Sequence, residues 1–278
     1  ALLLQAGVIR TKGSLPRAST VWDFHPQEKR LQHSIDTAIC SFDSNAHHFT
    51  VIDTPGYVDF LGRAYAVLEA MESAAIVVSA TAGVDTVTDR LMEFAQERGL
   101  CRMVIINKID SKDAHPEQVL ADLRARFGAE CLPLNLPSEG GKSVVDCFFQ
   151  PDGKAADFSS VKAAHTQILD QVVEVDEELM ARYLDQGGEL PPEELHDPFE
   201  KALRDGHLVP VCFTSAETGA GIPELFDVMT RLLPNPLEGN PPPFLKGPGE
   251  DSIRVRVTPD PAQHVIAHVF KVSVDPYV

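Results

Sequence analysis

Hydrophobic and polar positions follow two different periods along much of this 278-residue chain. Two early stretches alternate residue by residue, as half-buried strands do, and the polar turn at 43–46 joins them into a predicted hairpin of Ile35–Phe42 and His47–Ile52. Apolar residues then recur every three or four positions, which predicts helices at Val58–Glu72, Val84–Arg98 and Pro116–Phe127. Unbroken apolar runs predict buried strands at Ala75–Ala80, Met103–Ile106 and Leu208–Phe213. Strands that alternate with helices predict an α/β fold in which helices cover both faces of a mostly parallel sheet.

The pattern changes between Leu134 and Gly206. Short strands around Ser143–Phe149 precede acidic helices, which are predicted at Ala163–Glu178 and Pro192–Asp205. We interpret this segment as an α+β insertion, because it separates two stretches of the strand–helix pattern.

After the second α/β stretch the chain is rich in proline from Pro234 to Pro248, which predicts a linker. Strand patterns resume at Ile253–Val257 and His264–Val274 and predict the start of a β domain. The predicted organisation is an α/β part at 1–133, the insertion at 134–206, a second α/β part at 207–234, the linker at 235–252 and the start of the β domain at 253–278. Because the pattern begins and ends abruptly, we expect an internal piece of a longer protein.

Composition narrows the possible functions. A net charge of −17 argues against binding of free nucleic acid, whose phosphates attract basic proteins. No apolar stretch approaches the length of a membrane span, and no signal for a homo-oligomer stands out. The five cysteines are odd in number and scattered, which suits reduced thiols in a cytoplasmic protein, and the histidines lack the spacing of a metal site.

Three polar loops carry the candidate chemistry, and each follows an apolar run. They are Asp53-Thr-Pro-Gly56, Asn107-Lys-Ile-Asp110 and Thr214-Ser-Ala-Glu217. Loops at the carboxyl ends of strands are where α/β sheets bind ligands. Each tetrad alone is typical of an ordinary turn or helix cap. In this order, the three resemble the guanine-nucleotide loops of the P-loop GTPases.

The second and third loops suit recognition of a guanine base. The Asp110 carboxylate can accept hydrogen bonds from both N1–H and the exocyclic amine of guanine, and adenine offers no such pair of donors. Asn107 can tie the loop to its neighbours, and the Lys108 stem can lie across the purine. The backbone N–H of Ala216, next to Ser215, suits the guanine carbonyl oxygen.

The first loop suits phosphate and Mg²⁺. Gly56, after Thr54 and Pro55, lets its N–H approach a γ-phosphate, and Asp53 can hold Mg²⁺ through a water. The P-loop pattern itself, Gly, four residues and Gly-Lys-Ser/Thr, is absent. Gly140-Gly-Lys-Ser143 matches only its second half and follows Asn107 instead of preceding Asp53. We therefore expect the P-loop upstream of Ala1.

These features together resemble the translational GTPases, and within them elongation factor G and its paralogues. The resemblance extends over nearly the whole chain, and its segments occur in family order: Leu2–Gly7, Trp22-Asp-Phe24, Gln27-Glu28, Asp53-Thr-Pro-Gly56, Val58-Asp-Phe60, Asn107-Lys-Ile-Asp110, Ser215-Ala216, Leu232-Leu-Pro-Asn-Pro236 and Phe270-Lys-Val-Ser-Val-Asp-Pro-Tyr277. It implies a G domain interrupted by a G′-like insertion and followed by the start of a β-barrel domain, with GTP or GDP and Mg²⁺ as ligands and the ribosome as partner.

Two positions depart from the family pattern. The family histidine that orients the attacking water is Tyr57 here, and a neutral phenol is a poor base. The family segment Arg-Gly-Ile-Thr is Leu31-Gln-His-Ser34, in which Ser34 keeps a hydroxyl that can reach Mg²⁺. The resemblance thus implies Gly56 and Tyr57 at the hydrolytic position, with the role of Tyr57 open.

Three functions follow from these observations. The first is GTP hydrolysis coupled to translocation or to ribosome recycling. The second is a slow or non-hydrolysing factor whose ribosome binding depends on its nucleotide. The third is a relative of the ribosomal-protection or release factors, which share the G domain.

Overall fold

The computed structural model describes residues 1–44, 46–151, 154–187, 190, 194–240, 244–247, 249, 252–255, 258 and 260–272. Its strands are β1 (Ala38–Ser44), β2 (His47–Asp53), β3 (Ser73–Ser79), β4 (Cys101–Asn107), β5 (Cys131–Pro133), β6 (Asn135–Ser138), β7 (Ser143–Asp146), β8 (Val209–Phe213), β9 (Phe244–Lys246) and β10 (Ile253–Val255). Its helices are α1 (Leu2–Gln5), α2 (Pro26–Leu31), α3 (Leu61–Leu68), α4 (Thr86–Glu97), α5 (Pro116–Phe127), α6 (Val161–Val173), α7 (Glu177–Asp185), α8 (His196–Arg204) and α9 (Ile222–Arg231). None of these helices is long and apolar enough to cross a membrane.

A parallel sheet of four strands, in the order β3–β4–β8–β5, is the centre of the fold. All five positions of β8 are buried, so both of its faces are covered, and this explains its unbroken apolar run. The edge strand β3 buries one face through Ala74, Ile76 and Val78, while Val77 on the other face is 61% exposed. The predicted α/β class with a parallel sheet is confirmed.

The predicted hairpin is formed by β1 and β2, which pair antiparallel from Ala38↔Asp53 outward. Its turn residue 45 lies outside the described residues. Aromatic rings attach the hairpin to α9, because Phe49 lies 5.4 Å from Phe42 and 5.2 Å from Phe226 between ring centroids. Asp53 is both the last residue of β2 and the first residue of the predicted first loop, so the attachment of the hairpin to α9 also holds the start of that loop.

The segment at 134–206 contains the β6–β7 hairpin and helices α6 to α8. Its strand β6 is tied to the central sheet by the buried side chain of Asn135. The Asn135 amide donates to the carbonyl of Phe213 at 3.2 Å and accepts from the N–H of Phe213 at 2.7 Å. A side chain thus replaces a strand partner at the end of β8, where the third loop begins.

Four predicted helices have different bounds in the structure, among them Val84–Arg98, which is α4 (Thr86–Glu97), and Pro192–Asp205, which is α8 (His196–Arg204). The single helix at Ala163–Glu178 was wrong, because the chain forms α6 and α7 with a break at Asp176. The Asp176 carboxylate accepts from the N–H groups of Glu178 and Leu179, which is an N-cap that starts a new helix. The helix at Val58–Glu72 is shorter than predicted, since a 3-10 turn at Val58–Phe60 leads into α3.

The carboxyl-terminal part also differs from the expectation. The predicted strand at His264–Val274 is wrong over 264–272, where Val265 is 93% exposed and none of the described strands pairs with the segment. A strand needs such a pairing partner to form. Conversely, β9 lies within the predicted linker and pairs antiparallel with β10. The described residues leave out 192–193 of the predicted helix at Pro192–Asp205, 241–243, 248 and 250–251 of the predicted linker, and 256–257, 259 and 273–278 of the predicted β domain.

Candidate functional site

The second and third predicted loops lie side by side because they follow neighbouring strands. β4 and β8 pair in parallel up to Ile106↔Phe213, so both loops leave the same edge of the sheet. The Asn107 side-chain oxygen accepts from the N–H of Ala216 at 2.9 Å and from the Thr214 hydroxyl at 3.4 Å. The Ala216 N–H is thus engaged within the protein here, and its bond to a guanine carbonyl stays a prediction.

The third loop is closed by Ser215, which is completely buried. Its N–H donates to the carbonyl of Ala220, and its hydroxyl accepts from the N–H of Thr218 at 3.0 Å. The loop also requires Gly221, since a Cβ there would lie 2.1 Å from the carbonyl oxygen of Phe213. Ser215 therefore holds the shape of the loop.

The second loop presents Lys108 and Asp110 differently. Lys108 is exposed and has a left-handed backbone with φ of 68°. Asp110 is half-buried, and within the part of the chain that the structure describes no protein donor reaches its carboxylate. Because a partly desolvated carboxylate is costly to leave without donors, this side chain suits a ligand that supplies them.

The first loop begins with a carboxylate in an unfavourable environment. Asp53 is half-buried, and burial, followed by the nearby charge of Asp23, raises its pKa from 3.8 to about 6. The Ser34 hydroxyl lies 3.5 Å from Oδ2 of Asp53, and its hydrogen bond acts to lower the pKa of Asp53. No lysine or arginine forms an ion pair with Asp53 or Asp23 among the residues described.

Sequence reasoning gave no role to Asp23 and Glu28, both of which are buried at this end of the site. The Glu28 carboxylate accepts from the N–H groups of Ile35 and Asp36 at 3.0 and 3.1 Å, and from that of His25 at 2.9 Å. Burial works to raise the pKa of Glu28, but these three donors lower it below its usual value. Glu28 thus fixes the backbone next to Ser34. A glutamate three residues after His25 is the capping-box spacing that could have found it.

Oxygen ligands for Mg²⁺ are present at this end of the site. The Ser34 hydroxyl and the carboxylates of Asp53 and Asp23 are the kind of donors that a hard cation takes. No group of three or more His, Cys, Asp or Glu that could hold a metal alone occurs among the described residues. These oxygen ligands therefore suit an ion that also takes ligands from a phosphate and from water, as Mg²⁺ commonly does.

The two positions that depart from the family pattern contact each other. The rings of His33 and Tyr57 are 4.3 Å apart between centroids and are tilted by 41°. Tyr57 is 55% exposed, and Nδ1 of His33 lies 3.2 Å from the carbonyl oxygen of Ser34. Tyr57 follows the first loop directly and His33 precedes Ser34, so this ring contact joins the first loop to the segment that contains Ser34.

Among the described residues, no packing contact requires a glycine at position 56 of the first loop. A Cβ at Gly56 would meet no atom within 4 Å, and its backbone is outside the left-handed region. Thr54 is half-buried and Pro55 is buried beside it. The structure thus groups Ser34 with Asp53, and Asn107 with Thr214, Ser215 and Ala216. No hydrogen bond joins the two groups in the described part of the chain.

Comparison with known proteins gives a consistent family. The profile of the "Elongation factor Tu GTP binding domain" family matches residues 1–235. An elongation factor G-like protein of Mycobacterium tuberculosis H37Rv is 34% identical over 100% of this chain and 40% of its own length. Elongation factor G of Salinibacter ruber is 29% identical over 100% of this chain and 42% of its own length.

A crystal structure of a Thermus thermophilus protein superposes with a TM-score of 0.75 at 32% identity, covering 85% of this chain and 38% of that one. The chain thus spans about two fifths of the length of the curated relatives named above. The chain belongs to the elongation factor Tu GTP-binding domain family of translational GTPases, and it is elongation-factor-G-like.

Proposed function

We propose that this chain carries the guanine-nucleotide site of a translation factor that hydrolyses GTP to GDP on the ribosome during translocation or recycling. The observation that carries the proposal is the loop pair at the ends of β4 and β8, where Asn107 joins the two loops and Asp110 is left without a donor from the described part of the protein. The cytoplasm is the proposed location, since that is where such a factor meets ribosomes.

Base recognition rests on the Asp110 carboxylate. Its two oxygens accept from the N1–H and the amine of guanine, which supply the donors that the protein does not. The exposed Lys108 stem lies across one face of the purine, where its methylene groups exclude water. Adenine would leave Asp110 half-buried and unpaired, so it is rejected.

Phosphate and Mg²⁺ meet at the other group of residues. The Ser34 hydroxyl and Asp53 would hold Mg²⁺, with Asp53 acting through water and Asp23 adding a further negative charge. Bound Mg²⁺ would neutralise the charge that develops on phosphate oxygens during transfer. Because position 56 has no Cβ, a phosphate could approach its N–H without meeting a side chain there.

Position 57 determines how fast the proposed reaction runs. Tyr57→His is expected to raise the ribosome-stimulated rate of GTP hydrolysis by roughly 10-fold or more, because imidazole orients and activates water better than a neutral phenol. Single-turnover hydrolysis by the full-length protein measures this, with and without ribosomes. Tyr57→Phe is the matched control and is expected to hydrolyse at the wild-type rate.

A second function is favoured by the contact between His33 and Tyr57, because two packed rings at the proposed hydrolytic position would hinder the approach of water. In this alternative the protein binds the ribosome when GTP is bound but turns GTP over slowly. Ribosome-stimulated hydrolysis by the wild type supports the enzyme. Guanine binding with no stimulation, even in Tyr57→His, supports the nucleotide-dependent binding factor and shows that position 57 does not limit the rate.

A further inference from the structure

The turn at 138–143 between β6 and β7 lies directly against the second loop of the site. An added Cβ at Gly141 would lie 2.0 Å from the carbonyl oxygen of Ile109 and 3.3 Å from the N of Asp110. Gly141 also has a φ of 76°, in the left-handed region. Only glycine therefore allows this close approach of two backbones.

An internal carboxylate fixes the turn. The N–H groups of Gly140 and Gly141 donate to Oδ1 and Oδ2 of Asp157, both at 3.0 Å. Residues Glu139, Gly140 and Gly141 all have positive φ, so that successive N–H groups converge on one anion. The N–H of Asp157 in turn donates to the carbonyl of Pro137 at 2.8 Å, which anchors the carboxylate to β6.

The residue that the turn touches connects both base-recognising loops. Ile109 is 2% exposed, and its N–H donates to the carbonyl of Thr214 at 3.3 Å. Its backbone therefore has Thr214 on one side and Gly141 on the other. Asp110 follows Ile109 directly, so its position depends on both contacts.

We propose that the turn at 138–143 positions Asp110 for guanine, with Gly141 and Asp157 as positioning residues for base specificity. The inference rests on the proposed function, because it concerns the base that Asp110 binds. It assigns the segment at 134–206 a part in nucleotide recognition. Of the segment Gly140-Gly-Lys-Ser143, Gly141 thus serves the base through its backbone, away from any phosphate.

The chain offers a closely matched control for the test. Gly140 has a φ of 69°, close to that of Gly141, and donates to the same carboxylate, but a Cβ on it would meet nothing within 4 Å. Alanine at either position carries the same backbone strain, whereas only Gly141→Ala pushes on Ile109.

The experiment compares dissociation constants for GDP and inosine diphosphate, which lacks the exocyclic amine. It uses the full-length wild type, Gly141→Ala, Gly140→Ala and Asp157→Ala. We expect the wild type to prefer GDP by roughly 10-fold or more, since one hydrogen bond to Asp110 separates the ligands. In Gly141→Ala the constant for GDP is expected to rise roughly 10-fold to 100-fold, and the preference is expected to fall towards 1.

Asp157→Ala is likewise expected to raise the dissociation constant for GDP and to lower the preference for GDP over inosine diphosphate. This variant provides the test if Gly141→Ala does not fold. Gly140→Ala is expected to stay within about 2-fold of the wild type. If the wild type prefers GDP and this preference is the same in Gly141→Ala as in Gly140→Ala, this inference alone is overturned. If Gly141→Ala does not fold, an unchanged preference in Asp157→Ala overturns it in the same way. A wild type that does not distinguish the two ligands overturns the proposed function, and this inference with it.

Discussion

Asp110→Asn is expected to weaken GTP and GDP binding by roughly 10²-fold to 10⁴-fold, because two hydrogen bonds to a charged acceptor are lost. The new amide also turns a donor towards the donors of guanine. Xanthine carries a carbonyl where guanine carries the amine, so Asn at this position can accept from its N1–H and donate to that carbonyl. Affinity for xanthosine diphosphate is therefore expected to rise in the same variant.

Competition between guanosine and xanthosine diphosphates, measured with a fluorescent nucleotide, checks this exchange of specificity. Asp113→Asn is the control, since Asp113 is an exposed carboxylate in the same loop region and is expected to leave both affinities unchanged. Guanosine affinity that survives in Asp110→Asn contradicts the assignment of base recognition to this residue.

Asp53→Asn is expected to stabilise the nucleotide-free protein at neutral pH while lowering Mg²⁺-dependent hydrolysis by roughly 10²-fold. Ionised Asp53 is half-buried beside Asp23 and Glu28, and burial raises its pKa from 3.8 to about 6. A raised pKa means that the stability this group contributes is complete below pH 3.8 and is lost as the pH rises through about 6. The neutral amide avoids that loss, which amounts to roughly 1–3 kcal/mol.

Urea unfolding of both proteins at pH 8, 6 and 4 measures the effect of Asp53→Asn. The stabilisation is expected to be greatest at pH 8 and to shrink towards pH 4, where the wild-type carboxyl is protonated as well. Asp59→Asn, at an exposed carboxylate in the 3-10 turn nearby, is expected to change neither stability nor hydrolysis. A less stable Asp53→Asn variant at pH 8, or one with wild-type hydrolysis, contradicts the role given to Asp53.

Elements with strong local signals were predicted well from the sequence. Helix α5 has the predicted bounds, because Pro116 occupies its first turn and Gly128 follows its last residue. Strands β4 and β8 were evident as apolar runs since both faces are buried. The strand expected at His264–Val274 failed over 264–272 because alternation describes a side-chain pattern and does not supply a pairing partner.

The three loops of the candidate site were also evident in the sequence, since each is a short motif after a strand. What the sequence did not reveal depends on contacts between distant segments. The hydrogen bonds from the N–H groups of Ile35 and Asp36 to Glu28, and the approach of Gly141 to Ile109, join residues that no local pattern relates. Gly140-Gly-Lys-Ser143 illustrates this, because its motif resembles a phosphate-binding loop, whereas in the fold Gly141 packs against Ile109 of the second loop.

A calorimetric titration of the full-length wild-type protein with GDP and with ADP, both with Mg²⁺, tests the proposed guanine site most directly. Asp110 can accept two hydrogen bonds from guanine and none of that pair from adenine. GDP is expected to bind at least roughly 100-fold more tightly than ADP. Comparable affinities for the two nucleotides would contradict a guanine site at these loops.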